Sequence, residues 1–156
     1  MIRPLLFCLL FVFAAHAADK QVAASSATTS PPASASAPPL RVLDASIPAA
    51  ARGQSAAASM MLVNPTSATI VIRGATSPVA QLIRLQHIKK TDSGLMQMTD
   101  LPRLTLPPHT NAVLTPGATE LRFLNLSAPL QGGYETPLTL IFQDGTIKTI
   151  RLHIKE

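Results

Sequence analysis

The chain from residue 40 to 156 reads as an all-β fold, a Greek-key β-sandwich or barrel. Short apolar runs separated by turn residues recur every 8–12 positions along it. No window keeps a 3.6-residue apolar period over helical length. The segment FQDGTI at 142–147 sets Asp144-Gly145 between alternating apolar residues, the pattern of a tight hairpin.

Ten strands follow in order. The first two are Leu40–Ile47 and Ala57–Val63, separated by the Ala-rich piece 49–58, the one place where a helical turn could form. The turn NPTS at 64–67, with Pro at its second position, leads into Thr69–Gly74. Gln81–Ile88 and Gly94–Met98 flank a short polar loop, and Arg103–Leu106 and Ala112–Thr115 come next. A second proline turn, TPGA at 115–118, precedes Glu120–Asn125. Thr136–Phe142 and Thr146–Ile154 form the closing hairpin, whose alternation is slightly out of phase.

Two segments precede this domain. Residues 1–17 carry one early positive charge, an apolar run and Ala15-His16-Ala17, which together read as a secretory signal peptide and place the mature chain in the periplasm without an integral membrane span. Residues 18–39 are Ala, Ser, Thr and Pro, with too little apolar surface to offset ordering entropy, and read as a disordered linker. Residues 40–156 are long enough for one domain with a core.

Cys8 is the single cysteine and falls inside the signal peptide, without the small preceding residue that lipoprotein processing favours; it reads as part of the discarded peptide, with a lipid-anchored form as the alternative. The mature chain therefore has no disulfide, thiolate nucleophile or thiolate ligand, and a soft metal would have to be held by methionine and histidine. Without Arg3, twelve basic residues face eight acidic ones. That mild excess, with one Tyr, no Trp and no basic stripe, argues against nucleic-acid binding. No Ser–His–Asp context, G-x-S-x-G, P-loop or carboxylate pair in a cleft is present, which argues against an enzyme. Asp44, Asp92, Asp100 and Asp144 fall at turns or strand ends, where backbone geometry accounts for them.

The chemistry concentrates in LQHIKKTDSGLMQM at 85–98. A two-residue turn at Asp92-Ser93 would set His87 opposite Met98, with β-carbons ~4.5–5.5 Å apart. Met96 would share the face of Met98. An imidazole with one or two thioethers suits Cu(I) better than zinc, calcium or magnesium. Methionine also fills irregular core gaps, so spacing alone leaves a plain structural hairpin open. Met60-Met61 begins the second strand with one side chain in and one out, and His109 and His153 read as surface residues.

ASMMLVN at 58–64, HIKKTDSGLMQM, and LPPHTNAVLTPGATELRFLNLSAPLQGGYETPLTLIFQDG at 106–145 resemble the periplasmic copper chaperones called PCu(A)C, from about Leu40 to Ile154. The resemblance implies a cupredoxin-like β-barrel that binds Cu(I) through a motif spaced H-x₁₀-M-x₂₁-H-x-M. It also implies delivery to a copper-accepting periplasmic or membrane partner such as an oxidase subunit. Carried over, the motif names His87 and Met98 as ligands, with Met96 beside them, and places Glu120 and Arg122 where the second histidine and methionine would stand. A carboxylate is a hard ligand and a guanidinium repels cations, so Cu(I) would be held weakly. Strand alternation, with Ile83 and Leu85 inward, points to Gln86 rather than His87 at the first ligand position, whereas spacing points to His87. Two functions follow: a copper chaperone-like protein, or a family member without copper that serves as a periplasmic protein-interaction module.

Overall fold

Ten strands and no helix make up the computed structural model, which describes residues 36–156. The signal peptide read at 1–17 and the linker up to residue 35 lie outside the described residues. The strands are β1 (Arg41–Pro48), β2 (Ala56–Val63), β3 (Ile70–Thr76), β4 (Ala80–Lys90), β5 (Met96–Asp100), β6 (Leu104–Leu106), β7 (Asn111–Leu114), β8 (Thr119–Leu126), β9 (Glu135–Phe142) and β10 (Ile147–Lys155). Each coincides with an expected strand to within a few residues. The Ala-rich piece is extended at Ala56–Ala58, where small inward side chains lie beside bulky ones: Ala56 pairs with Phe123 and Ala58 with Leu121.

Nine strands follow one hydrogen-bonded path, β5-β4-β8-β2-β1-β10-β9-β3-β6, with β7 beside β2. The β1–β10 pair is parallel and the other ladders are antiparallel, so the sheet is mixed. β2 pairs with β1 along one edge and is shared between two strands along the other. Its first half pairs with β8, and its second half, Met60–Val63, pairs with β7.

Period-two alternation sends one face of each strand inward. Along β2, Ala56, Ala58, Met60 and Leu62 are buried, whereas Met61 is half-buried. Leu121 and Phe123 of β8, Leu138, Leu140 and Phe142 of β9, and Leu152 and Ile154 of β10 join them in the core, with further residues of β1, β3, β4, β6 and β7. Each fully buried Leu, Ile or Phe contributes about 1.5–3 kcal/mol relative to an exposed one.

Among the buried polar side chains, Asn64 is the most fully enclosed. The Asn64 amide, fully buried, donates to the carbonyls of Ala68 (2.8 Å), Leu106 (3.0 Å) and Pro107 (3.0 Å) and accepts from Thr66 N (3.0 Å). It fastens the β2–β3 turn to the end of β6, and its satisfied bonds make its burial tolerable.

The β4–β5 loop corrects an expectation. Thr91 N donates to Leu95 O (2.8 Å) and Gly94 N to Thr91 O (2.8 Å), and Gly94 has φ +81°. This is a three-residue loop closed by a left-handed glycine, not a two-residue turn at Asp92-Ser93. Asp144-Gly145 also belongs to a three-residue loop, with Phe142 N donating to Thr146 O (2.9 Å) and Gly145 at φ +85°. The imperfect apolar phase of the last strand is one outward isoleucine: β10 alternates strictly, so Ile147 points to solvent, whereas Leu152 and Ile154 point inward.

Candidate functional site

The loop at 91–95 sets the register of the ladder on which the expected ligands lie. Ile88 pairs with Met98, His87 with Thr99, Gln86 with Asp100 and Lys90 with Met96. Residues directly opposite share a face, and neighbours along a strand do not. His87 is therefore not opposite Met98, and the two side chains leave the sheet on opposite faces. Met96 and Met98 do share a face, as expected. Their Cα atoms are about 6.5–7 Å apart along the strand.

His87 belongs to the inner side, in line with Ile83 and Leu85. It is half-buried at the rim, and its Nδ1 lies 2.9 Å from Thr119 Oγ1. The outer face carries the residue that alternation pointed to. Gln86 lies between Asp100 on β5 and Glu120 on β8, in one row across three strands. Arg84 and Arg122 pair in the next row. So Gln86, Met98, Glu120 and Arg122 occupy one face, and one extra loop residue separates the Gln86–Met98 spacing from the motif's own.

Hydrogen bonds hold the two ends of this row separately, and the buried Gln86 Oε1 between them has no protein partner. Gln86 Nε2 donates to Asp100 Oδ1 (2.7 Å), and Arg84 is ion-paired with Asp100. The Gln86 amide, foremost, and the Arg84 guanidinium hold the Asp100 carboxyl below the usual aspartate range, against a partial loss of hydration. Glu120 is only 1% exposed; Gly117 N donates to its Oε2 (3.0 Å) and Arg122 to its Oε1 (3.2 Å). A buried carboxylate is tolerated because both oxygens are engaged. The sequence reading expected the Glu120–Arg122 pair but missed Asp100 and Arg84. Alternation from Gln86 toward the paired strand was the available signal.

These donors are poorly matched to Cu(I): two carboxylates, an amide and two guanidinium groups are either hard ligands or cations. The soft atoms stand outside the row. Met96 is 62% and Met98 47% exposed, next to Leu95 at 70%, on a strand at one end of the sheet path. Among the described residues, no three His, Cys, Asp or Glu side chains gather as metal ligands. No described helix is long and apolar enough to cross a membrane.

The fold matches those of solved PCuAC domains. It superposes on the "Copper-bound PCuAC domain from PmoF2" with a TM-score of 0.61, at 17% identity, covering 74% of this chain and 92% of that one. It superposes on "CuI-DR1885 from Deinococcus Radiodurans" with a TM-score of 0.59, at 28% identity, covering 78% of this chain and 83% of that one. The apo form of DR1885 aligns over 95% of this chain and 97% of its own, at 25% identity and a TM-score of 0.57. In sequence, the chain is 30% identical over 94 residues to "Putative lipoprotein Lxx21020" of Leifsonia xyli subsp. xyli, a match spanning 60% of this chain and 56% of that relative. The family model described as "Putative lipoprotein LpqE-like" matches residues 40–154. With the PCuAC fold and a family match over nearly the whole described domain, the chain belongs to the LpqE-like family.

Proposed function

We propose that this protein is an extracytoplasmic copper chaperone-like protein that holds Cu(I) loosely through the thioethers of Met96 and Met98 and passes it to a copper-accepting partner, such as an oxidase subunit. The observation that carries this reading is the pair of exposed thioethers on one face of β5, in a fold whose solved neighbours include copper-bound domains. Thioethers select Cu(I) over hard cations, and two of them bind weakly enough to release the ion. The lipoprotein descriptions of its relatives support a place outside the cytoplasm. His87, directed to the other face and bonded to Thr119, is assigned no direct part.

A Cu(I) competition titration against a chromophoric chelator tests this. The protein should withdraw copper from the chelator, Met96→Ala/Met98→Ala should lose that ability, and His87→Ala should keep it. Copper binding that persists in the double methionine variant, or that disappears in His87→Ala with the fold intact, would overturn the assignment.

A second reading has its own observation. The Arg122 guanidinium, held on Glu120, stands on the outer face at a position the family motif gives to a ligand. A protein that binds no Cu(I) while folded would be an interaction module using the same face.

A further inference from the structure

β5 is the end strand of the hydrogen-bonded path, and all five of its residues are exposed. Its sequence, Met96-Gln97-Met98-Thr99-Asp100, contains no proline or lysine, residues that often guard an exposed edge. Two thioethers two residues apart on one face fall short of the three or four donors that hold Cu(I) firmly. Both shortfalls have one remedy.

We propose that two copies of this chain pair antiparallel through their β5 edges around Gln97 and share one Cu(I) among four thioethers. In that register, Met96 of each copy lies opposite Met98 of the other, Gln97 opposite Gln97, and Leu95 opposite Thr99. The four sulfur-bearing side chains leave the joined sheet on one face, with cross-strand β-carbons ~4.5–5.5 Å apart. No charge meets a like charge in the seam. Asp100 falls opposite Gly94 and is already neutralised by its own Arg84. Lys90, beside Met96, is exposed and reaches water with its long stem.

A second copy is the occupant because it brings the same Met-x-Met spacing to the seam and completes the ligand set by symmetry. Size determines the conditions for pairing. A five-residue strand pair buries far less than the ~1,200 Å² of a stable interface, so the pair forms only when the metal bridges it. The proposal rests on the Cu(I) reading above and extends it to a ligand set and a stoichiometry.

The test is analytical ultracentrifugation of the protein titrated with Cu(I), with X-ray absorption at the copper edge. The expected result is a monomer without copper and a dimer with it, at one Cu(I) per two chains in a shell of four sulfurs. Gln97→Lys leaves both methionines in place but sets like charges against each other in the seam. It should keep the protein monomeric and weaken copper binding by roughly tenfold or more. One Cu(I) per monomer would overturn the shared site while leaving the proposed function standing. Absence of Cu(I) binding would end both. A Gln97→Lys variant that still dimerised on copper would refute this pairing.

Discussion

The β4–β5 and β9–β10 hairpins close with the same device: a three-residue loop ending in a left-handed glycine, Gly94 in one and Gly145 in the other. Their fates diverge beyond the loop. β9 buries Leu138, Leu140 and Phe142 between β10 and β3 within the sheet path, whereas β5 buries nothing and ends that path. Identical local geometry therefore serves stability in one hairpin and availability in the other. Packing decides which, because the turn specifies register but not what covers the strands.

The largest expected effect breaks the comparison at its packed end. Phe142→Ala should cost about 3–5 kcal/mol in a urea unfolding series, and Met98→Ala no more than about 0.5 kcal/mol. Similar losses at the two positions would mean that β5 is packed after all.

Next come the paired glycines. An alanine Cβ meets no close neighbour at either site, so the positive φ alone sets the penalty, about 1–2 kcal/mol of local strain. Gly145→Ala should show that cost in global stability. Gly94→Ala should show it chiefly as faster amide exchange in β4 and β5, since an exposed hairpin opens without unfolding the core. A full global loss at Gly94 would join the two hairpins into one cooperative unit.

The smallest effect concerns the polar row behind β5. Asp100 titrates below the usual aspartate range when folded, so its contribution is in place at neutral pH and is lost as pH falls below that range. Gln86→Ala should move the Asp100 pKa upward in an NMR titration by removing the largest cause of its depression. An unchanged pKa would assign the effect to Arg84.

All ten strands were legible because proline and glycine turns punctuate alternating runs throughout the domain. The ladder register was not. A glycine two residues after an aspartate, as in TDSG, forms a two- or three-residue loop according to which residue adopts the left-handed conformation, and the choice moves every pairing by one. That single step separates His87 from Met98. Alternation in β4, with Ile83 and Leu85 inward, put Gln86 on the opposite face from Leu85, as the register has it, but did not reveal its burial there beside Glu120. The Glu120–Arg122 pair was visible as an i, i+2 couple on one strand. Asp100 read as a turn residue because its partners, Arg84 and Gln86, lie 16 and 14 positions away.

The parallel pairing of β1 with β10 has a consequence for timing. β1 lies between β2 and β10 in the middle of the sheet path, so the path remains in two pieces until residues 147–155 are available. A chain passing N-terminus first through a narrow pore would emerge with its central ladder unmade, and loop closure across some hundred residues would come last. The strand order thus leaves the sheet unjoined until the last segment of the chain arrives, and the final strand acts as the latch.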